Sequence, residues 1–255
     1  MSSVHPTAVI HPNAKIGAEC EIGPYCIIHE NVTMGDKCKL QSHVVLEGHT
    51  KIGSGNEFFP FVVIGNKTQD LKWKGGVTWT EIGDNNVFRE YTSVNSATGD
   101  GEVTRIGSNN HLLCHCKIGH NCIIGNHIVM ADATIAGHVL IEDYARLSTC
   151  AIHQFCRIGK MAMIGGASKV VQDVPPYMLA DGNPLEIRTV NKVAMERGGV
   201  SDEAQVALRS AYKIIYREGL TVSNSLVKIE EKLPQLPEIL HLVKFIKESE
   251  RGIGK

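Results

Sequence analysis

An apolar residue recurs at every sixth position from Val4 through Ile10, Ile16, Ile22, Ile28, Met34, Leu40, Leu46, Ile52 and Phe58 to Ile64, and few folds tolerate such a period. A helix would place apolar residues three and four apart, and a lone strand would alternate by two. Sixfold recurrence sustained this long therefore predicts a parallel β-helix of hexapeptides. Two positions before each pulse stands a small or compact residue, as at Ala8, Ala14, Cys20, Cys26, Val32, Cys38 and Val44. Both positions are expected to point inward at a tight corner. Glycine often follows the pulse, at Gly17, Gly23, Gly35 and Gly53, where it is expected to permit the turn. Three hexads make one triangular coil, and coils stack at the strand spacing of about 4.8 Å. Aromatic residues make up only 5% of the chain, which suits a narrow interior filled by aliphatic side chains and cysteine.

The pulse resumes at Ile82, Phe88 and Val94, and again from Ile106 through Leu112, Ile118 and Ile124 to Met130. A last series runs from Ile135 through Ile141, Leu147, Ile152, Ile158 and Ile164 to Val170. The intervals from Met130 to Ile135 and from Leu147 to Ile152 are five residues long and read as tightened corners. Seven of the eight cysteines (Cys20, Cys26, Cys38, Cys116, Cys122, Cys150 and Cys156) fall two positions before a pulse. A small apolar side chain is wanted there, so they are expected to pack. No pair has CxxC spacing, and Cys114, outside the pattern, receives no role.

Past Val170 the segment VQDVPPYMLADGNP breaks the pattern, because its prolines forbid a regular ladder. The expected organisation is mainly β, with a β-helix over residues 1–184 carrying loop insertions at 65–81 and 95–105, then a helical domain over 185–255. Helices are predicted at 185–198, 201–218, 222–232 and 235–249. The second opens on Ser201 as N-cap and closes at Gly219, and the last carries an apolar stripe of Leu236, Ile239, Leu240, Val243 and Ile246.

Counting three hexads per coil puts Ile10, Ile28, Leu46, Ile64, Val94, Ile118, Ile135, Ile152 and Val170 in one column, provided each insertion replaces a turn without consuming a hexad. Both insertions follow this column, after Ile64 and after Val94. His120, His138, His153 and Gln154 lie one to three residues beyond its later members. Nine other histidines are present, so the residue type proves little, and a lone turn histidine is ordinarily just solvated. Coincidence with both loops is what marks this edge as a binding face. Zinc held by the column histidines is the competing arrangement. Their offsets do not repeat as shared ligation would require, and the expectation is no metal.

A net charge of −1 offers no global field for nucleic acid. Neither a charged-then-apolar leader nor a run of 18 apolar residues is present, so a cytoplasmic protein without a transmembrane segment is expected.

The segments EGHTKIG (47–53), TQDLK (68–72), IGHNC (118–122), ATIAGHV (133–139), IHQFCRIG (152–159), QDVPPYMLADGN (172–183) and AYKIIYREG (211–219) together resemble the UDP-N-acetylglucosamine acyltransferase family that begins lipid A biosynthesis. The resemblance spans nearly the whole chain. It implies a homotrimer of left-handed prisms with active sites between subunits, and transfer of an (R)-3-hydroxyacyl chain from acyl carrier protein to the sugar 3-position. No cofactor is implied beyond the carrier protein's phosphopantetheine thioester, which is the donor. By resemblance His120 is the general base, Asp70 and Lys72 hold the sugar with Gln69 beside them, and the Gly137 N–H faces the oxyanion. His138 binds substrate polar groups, while Gln154 and His153 contact the nucleotide. Asn191 and Arg197 lie near the base and phosphates, and Met163 and Gly166 match chain-measuring positions, with Lys169 able to shorten the groove. Arg209, Lys213 and Arg217, spaced i, i+4 and i+8, form a basic stripe suited to acidic acyl carrier protein. Solvated surface charge is the ordinary alternative for these three and for Arg197.

The chain also departs from that family. Where many members read His-Ile-Ala-His-Asp, it has Lys117, Ile118, Gly119, His120 and Asn121, and Asn95 stands where a histidine is common. These changes surround the acceptor. A 3-amino sugar nucleotide, whose amine is inherently nucleophilic, is therefore expected to be preferred over the 3-hydroxy form. An acetyl-CoA-dependent hexapeptide acetyltransferase, a trimeric zinc carbonic anhydrase and a non-catalytic scaffold are the rival readings.

Overall fold

The computed structural model describes residues 2–255. Three sheets of eleven, nine and eight strands run the length of the prism, parallel throughout except for the last strand of the first. The first face begins at Ser3–Val4, the second at Val9–Ile10 and the third at Lys15–Ile16, and up to Met163–Ile164 neighbours within a face are three strands apart in sequence, as one coil per three hexads demands. All nine residues of the expected column are in register on the second face, from Ile10 opposite Ile28 to Ile152 opposite Val170. On the third face Ile52, Ile82 and Ile106 align. Each insertion thus replaces a turn between the second and third faces and consumes no hexad. The two five-residue intervals stack on each other, with Asp132 and Thr149 turning the shortened corners at positive φ.

From Ile22 onward the pulses are buried, whereas Val4 is 48% exposed because no coil lies beneath it. The seven patterned cysteines are buried and Cys114 is exposed. Burial pushes the Cys38 and Cys116 thiols up to about 11 and Cys122 to about 12, which keeps them protonated packing groups.

The glycines after the pulses do a different job from the expected one. None of Gly17, Gly23, Gly35 or Gly53 has positive φ; a Cβ on Gly23 would instead lie 1.8 Å from the Gln41 carbonyl oxygen of the next coil. Close coil approach excludes a side chain there. Most left-handed corner residues are non-glycine, among them Tyr25, His43, Phe61, Tyr91 and His115, a conformation that costs about 1–3 kcal/mol each. Their rings stack up one edge at 5.0–5.3 Å between centroids, and such pairs return about 0.5–1.5 kcal/mol apiece.

Inside another corner, the compact position two before the pulse is asparagine in three successive coils. Asn56 Oδ1 accepts from the Asn86 N–H and side-chain amide, Asn86 Oδ1 from the Asn110 N–H, and Asn110 Oδ1 from the Ile128 N–H. Each amide also donates to the next coil, to the carbonyls of Gly83, Gly107 and Gly125. The Cys38 thiol makes the same donation to Gly53.

The first predicted helix needs correction. Residues Glu186–Val190 form a strand antiparallel to Met178–Asp181, extending the first sheet past Pro184. The β-branched Ile187 and Val190 are buried on that sheet, which a helix starting at 185 would not achieve. Helix α1 spans only Lys192–Arg197, capped by the Asn191 side chain on the Ala194 N–H. Helices α2 (Asp202–Tyr216), α3 (Val222–Lys232) and α4 (Pro237–Lys247) follow, α2 and α3 capped by Ser201 and Thr221. On α4 Leu242 and Phe245 join the core, and Leu240, placed in the apolar stripe, is exposed. His241 of α4 meets Glu142 of the prism at 2.8 Å.

Candidate active site

The corner after the second face turns through positions two and three beyond each pulse. His120, Gly137 and Gln154 are equivalent at the second of these, following Ile118, Ile135 and Ile152, and Asn121, His138 and Phe155 at the third. All three residues of the latter set have positive φ. The two histidines therefore occupy adjacent columns, which accounts for the unequal offsets in the sequence. The His138 N–H donates to the His120 carbonyl at 2.9 Å. Its ring stacks on Phe155 at 4.7 Å and meets His120 edge-on at 5.1 Å. Burial first, and then the His120 imidazole, holds His138 below the usual histidine range, so it is neutral near pH 7.

His120 is 6% exposed and lies directly over Gly137, where an added Cβ would sit 2.3 Å from its Nε2. Only a glycine leaves room for this imidazole. Among the described residues, the Gly137 N–H donates to no protein acceptor, a property it shares with the equivalent His120 N–H. The first insertion brings Asp70 across the cleft, its Oδ2 3.7 Å from His120 Nε2. That carboxylate is held by a local turn, because its other oxygen accepts the Lys72 N–H at 2.9 Å. Thr68 Oγ1 caps the Asp70 N–H at 3.1 Å and reaches Thr98 of the second insertion at 2.8 Å. Asn95 is buried and donates to the Lys67 carbonyl. It pins one loop to the other.

A cleft of about 500 Å³ results, lined among others by Gln69, Asp70, Lys72, Lys117, His120, Gly137 and Gln154. The structure thus gathers most of the expected acceptor and base residues, while His153 sits outside the lining with its ring 3.3 Å from the Gln154 carbonyl. Met163, Asn191 and Arg197 line a separate groove of about 670 Å³ between the first face and α1. Lys169 is exposed on the second face opposite Ala151, and a Cβ on Gly166 would meet open space. Asn191 is largely occupied as a helix cap and as donor to the Met161 carbonyl. Arg209 and Lys213 are exposed on α2 and make no ion pair among the described residues. Arg217, at the end of α2, is bound through its guanidinium to the Tyr212 hydroxyl.

Two functional candidates escaped sequence reasoning. Arg146, in the Met163 groove, has its guanidinium fixed on the His127 carbonyl at 2.6 Å, with burial and then Arg197 lowering its pKa. Glu102, in the second insertion, contacts Asn121. Arg146 stands just before the Leu147 pulse, at an outward strand position open to any side chain, and Glu102 lies in a loop off the repeat. Among the described residues no three His, Cys, Asp or Glu side chains converge as a metal site would need, and no helix is long and apolar enough to cross a membrane.

The fold is thus a three-faced prism of hexapeptide coils with a histidine over a glycine at one looped corner. Residues 173–254 match the family model for UDP-N-acetylglucosamine O-acyltransferase domain 2, and residues 4–99 match that of the GMPPB C-terminal domain. The acyl-acyl-carrier-protein–UDP-N-acetylglucosamine O-acyltransferase of Thermodesulfovibrio yellowstonii is 47% identical over 99% of both chains. Its counterpart in Synechocystis is 42% identical over 99% of this chain and 92% of that one. The crystal structure of the UDP-N-acetylglucosamine acyltransferase of Bacteroides fragilis, 40% identical, superposes with a TM-score of 0.96 over 99% of this chain and all of that one. The chain belongs to this O-acyltransferase family, and its prism is the left-handed β-helix of those enzymes.

Proposed function

We propose that the protein transfers an (R)-3-hydroxyacyl chain from the thioester of acyl carrier protein to the 3-position of a UDP-N-acetylglucosamine-type sugar nucleotide, the first step of lipid A biosynthesis, in the cytoplasm. The observation that carries it is the His120 imidazole, seated on Gly137 with Nε2 facing Asp70 across the cleft. In this mechanism Nε2 removes a proton from the acceptor as it attacks the thioester carbonyl. The Gly137 N–H meets the oxyanion, and the pantetheine thiol leaves. Asp70 and Lys72, with Gln69, hold the sugar; neutral His138 serves as a hydrogen-bonding partner for substrate; Gln154 and His153 face the nucleotide.

The favoured acceptor is the 3-amino sugar. His120 Nδ1 faces the neutral amide oxygen of Asn121 at 2.9 Å, with no carboxylate directly behind the base. An amine needs less help than a hydroxyl. In a competition assay with both acceptors, amide product is expected to predominate; equal or faster turnover of ordinary UDP-N-acetylglucosamine overturns the preference. The same assay, run against carrier-protein concentration, reads the basic stripe: Arg209→Glu with Lys213→Glu raises KM for acyl carrier protein alone.

The prism, residues 1–184, supplies the chemistry in this proposal and residues 185–255 the docking surface. The cleft lies at a corner of the second face and the Met163 groove on the first face, so a homotrimer would set one subunit's base beside a neighbour's Asn191, Arg197 and the acyl-chain groove that Met163 lines. Mixed assemblies of His120→Ala and Arg197→Ala chains are expected to recover transfer that neither variant has alone. No recovery would place both half-sites on separate tasks.

A further inference from the structure

The second insertion closes around a single side chain. Asn121 receives the Thr98 N–H on Oδ1 at 3.0 Å, gives its Nδ2 hydrogen to Glu102 Oε2 at 2.7 Å, and gives its own backbone N–H to Thr104 Oγ1 at 2.8 Å. Glu102 Oε2 also accepts the Gly99 N–H at 2.7 Å. The carboxyl carbon of Glu102 lies 2.5 Å from where a Gly99 Cβ would be, so this turn has space for the folded-back carboxylate only because residue 99 is glycine.

These contacts settle which way the amide points. A backbone N–H can only donate and a carboxylate only accept, so Oδ1 faces Thr98 and Nδ2 faces Glu102. Oδ1 is then also the atom 2.9 Å from His120 Nδ1, and a carbonyl-type oxygen can only accept. In the neutral ring Nδ1 must carry the hydrogen, and Nε2 presents its lone pair to the cleft.

We propose that Glu102 is a positioning residue for the transfer reaction, fixing the Asn121 amide so that His120 is held in the Nδ1–H tautomer with Nε2 free as base. Glu102 touches neither substrate nor imidazole; it acts through the amide. The loop thereby restores, from a separate segment, a carboxylate-anchored base in a chain whose residue after the base is not acidic. This inference rests on the reading of His120 as base. The charged and titratable groups around the imidazole are Asp70 across the cleft, Lys72 in the same loop, His138 on the next coil and Glu102 behind the amide.

The test compares Glu102→Ala, Glu102→Gln and Gly99→Ala in the full-length protein, by steady-state kinetics and by imidazole 15N NMR, with the His120 signals assigned by difference from His120→Gln. Glu102→Ala is expected to lower kcat about tenfold, a part of what a positioned base is worth, with KM for the sugar nucleotide changed by less than about twofold. Its His120 nitrogens should move from the pure Nδ1–H pattern toward the average of two tautomers. Gly99→Ala, which pushes the carboxylate aside, should behave alike. Glu102→Gln, whose carbonyl oxygen can accept both donors, should restore the rate and the nitrogen shifts. Unchanged 15N shifts in Glu102→Ala overturn the proposal, as does a rise in KM that accounts for the whole loss. If His120→Gln transfers at the wild-type rate, the base assignment has failed instead, while the nitrogen shifts still report on the relay.

Discussion

His120→Ala is expected to lower acyl transfer by about 10²- to 10⁴-fold, the contribution of a positioned general base, and to leave the prism folded. The acceptor is a poor nucleophile until its proton begins to leave, and among the side chains lining the cleft His120 is the one imidazole. Asp70 is 3.7 Å from Nε2, close enough to steer an acceptor against it. The fold should tolerate the loss because the side chain sits in a turn, outside the column of pulses, and its backbone carbonyl would still accept the His138 N–H. Initial rates with a hydroxyacyl-carrier-protein donor, alongside circular dichroism melts, check both halves. A variant that melts normally and transfers at the parental rate would remove His120 from the mechanism.

Gly137→Ala should do nearly as much damage without touching a reactive group. The new methyl would fall 2.3 Å from His120 Nε2 and 2.4 Å from Cε1, far inside contact distance. Gly137 does not have a positive φ, so alanine carries no backbone strain, and the whole consequence falls on the imidazole. A base displaced by about 1 Å loses on the order of 10²-fold in rate. We expect kcat to drop by that order, with circular dichroism and melting temperature close to wild type. The informative comparison is Gly254→Ala, where a Cβ meets only ordinary contacts of 3.5–3.7 Å and transfer should persist. Full activity in Gly137→Ala would mean that the imidazole works from a different position.

How far such features can be read from the chain depends on whether they follow the repeat. The Ile64, Val94, Ile118 and Ile135 column, the cysteine positions and the two shortened corners all follow from counting hexads, because each coil confronts the same packing problem. His120 and Asp70 were found by motif resemblance and by proximity to the loops. Glu102 was not legible, since its importance arises from a loop folding back onto Asn121, a contact across 19 residues with no periodic signal. Residues 186–190 form a strand and not the expected helix because the sheet that claims them is completed by the hairpin from Met178–Asp181, and tertiary pairing overrides local propensity. The glycines follow the pulses as turn formers would, but the demand on them comes from the carbonyl one coil away.

The asparagine ladder has a consequence for how this shaft assembles. A six-residue repeat is nearly degenerate: slide the chain by one hexad and apolar pulses again meet apolar pulses, so hydrophobicity alone cannot say which corner is which. Asn56, Asn86 and Asn110 break that symmetry. A slipped coil would strand their buried amides against residues unable to answer them, at about 1–3 kcal/mol for each unmet group. They work as a phase marker. The three coils that carry them are also those whose second-face strands end in the Asp70 loop, the Glu102 loop and His120. Getting the phase right there decides which corner the loops leave from, and so whether the acid, the relay and the base arrive at the same place.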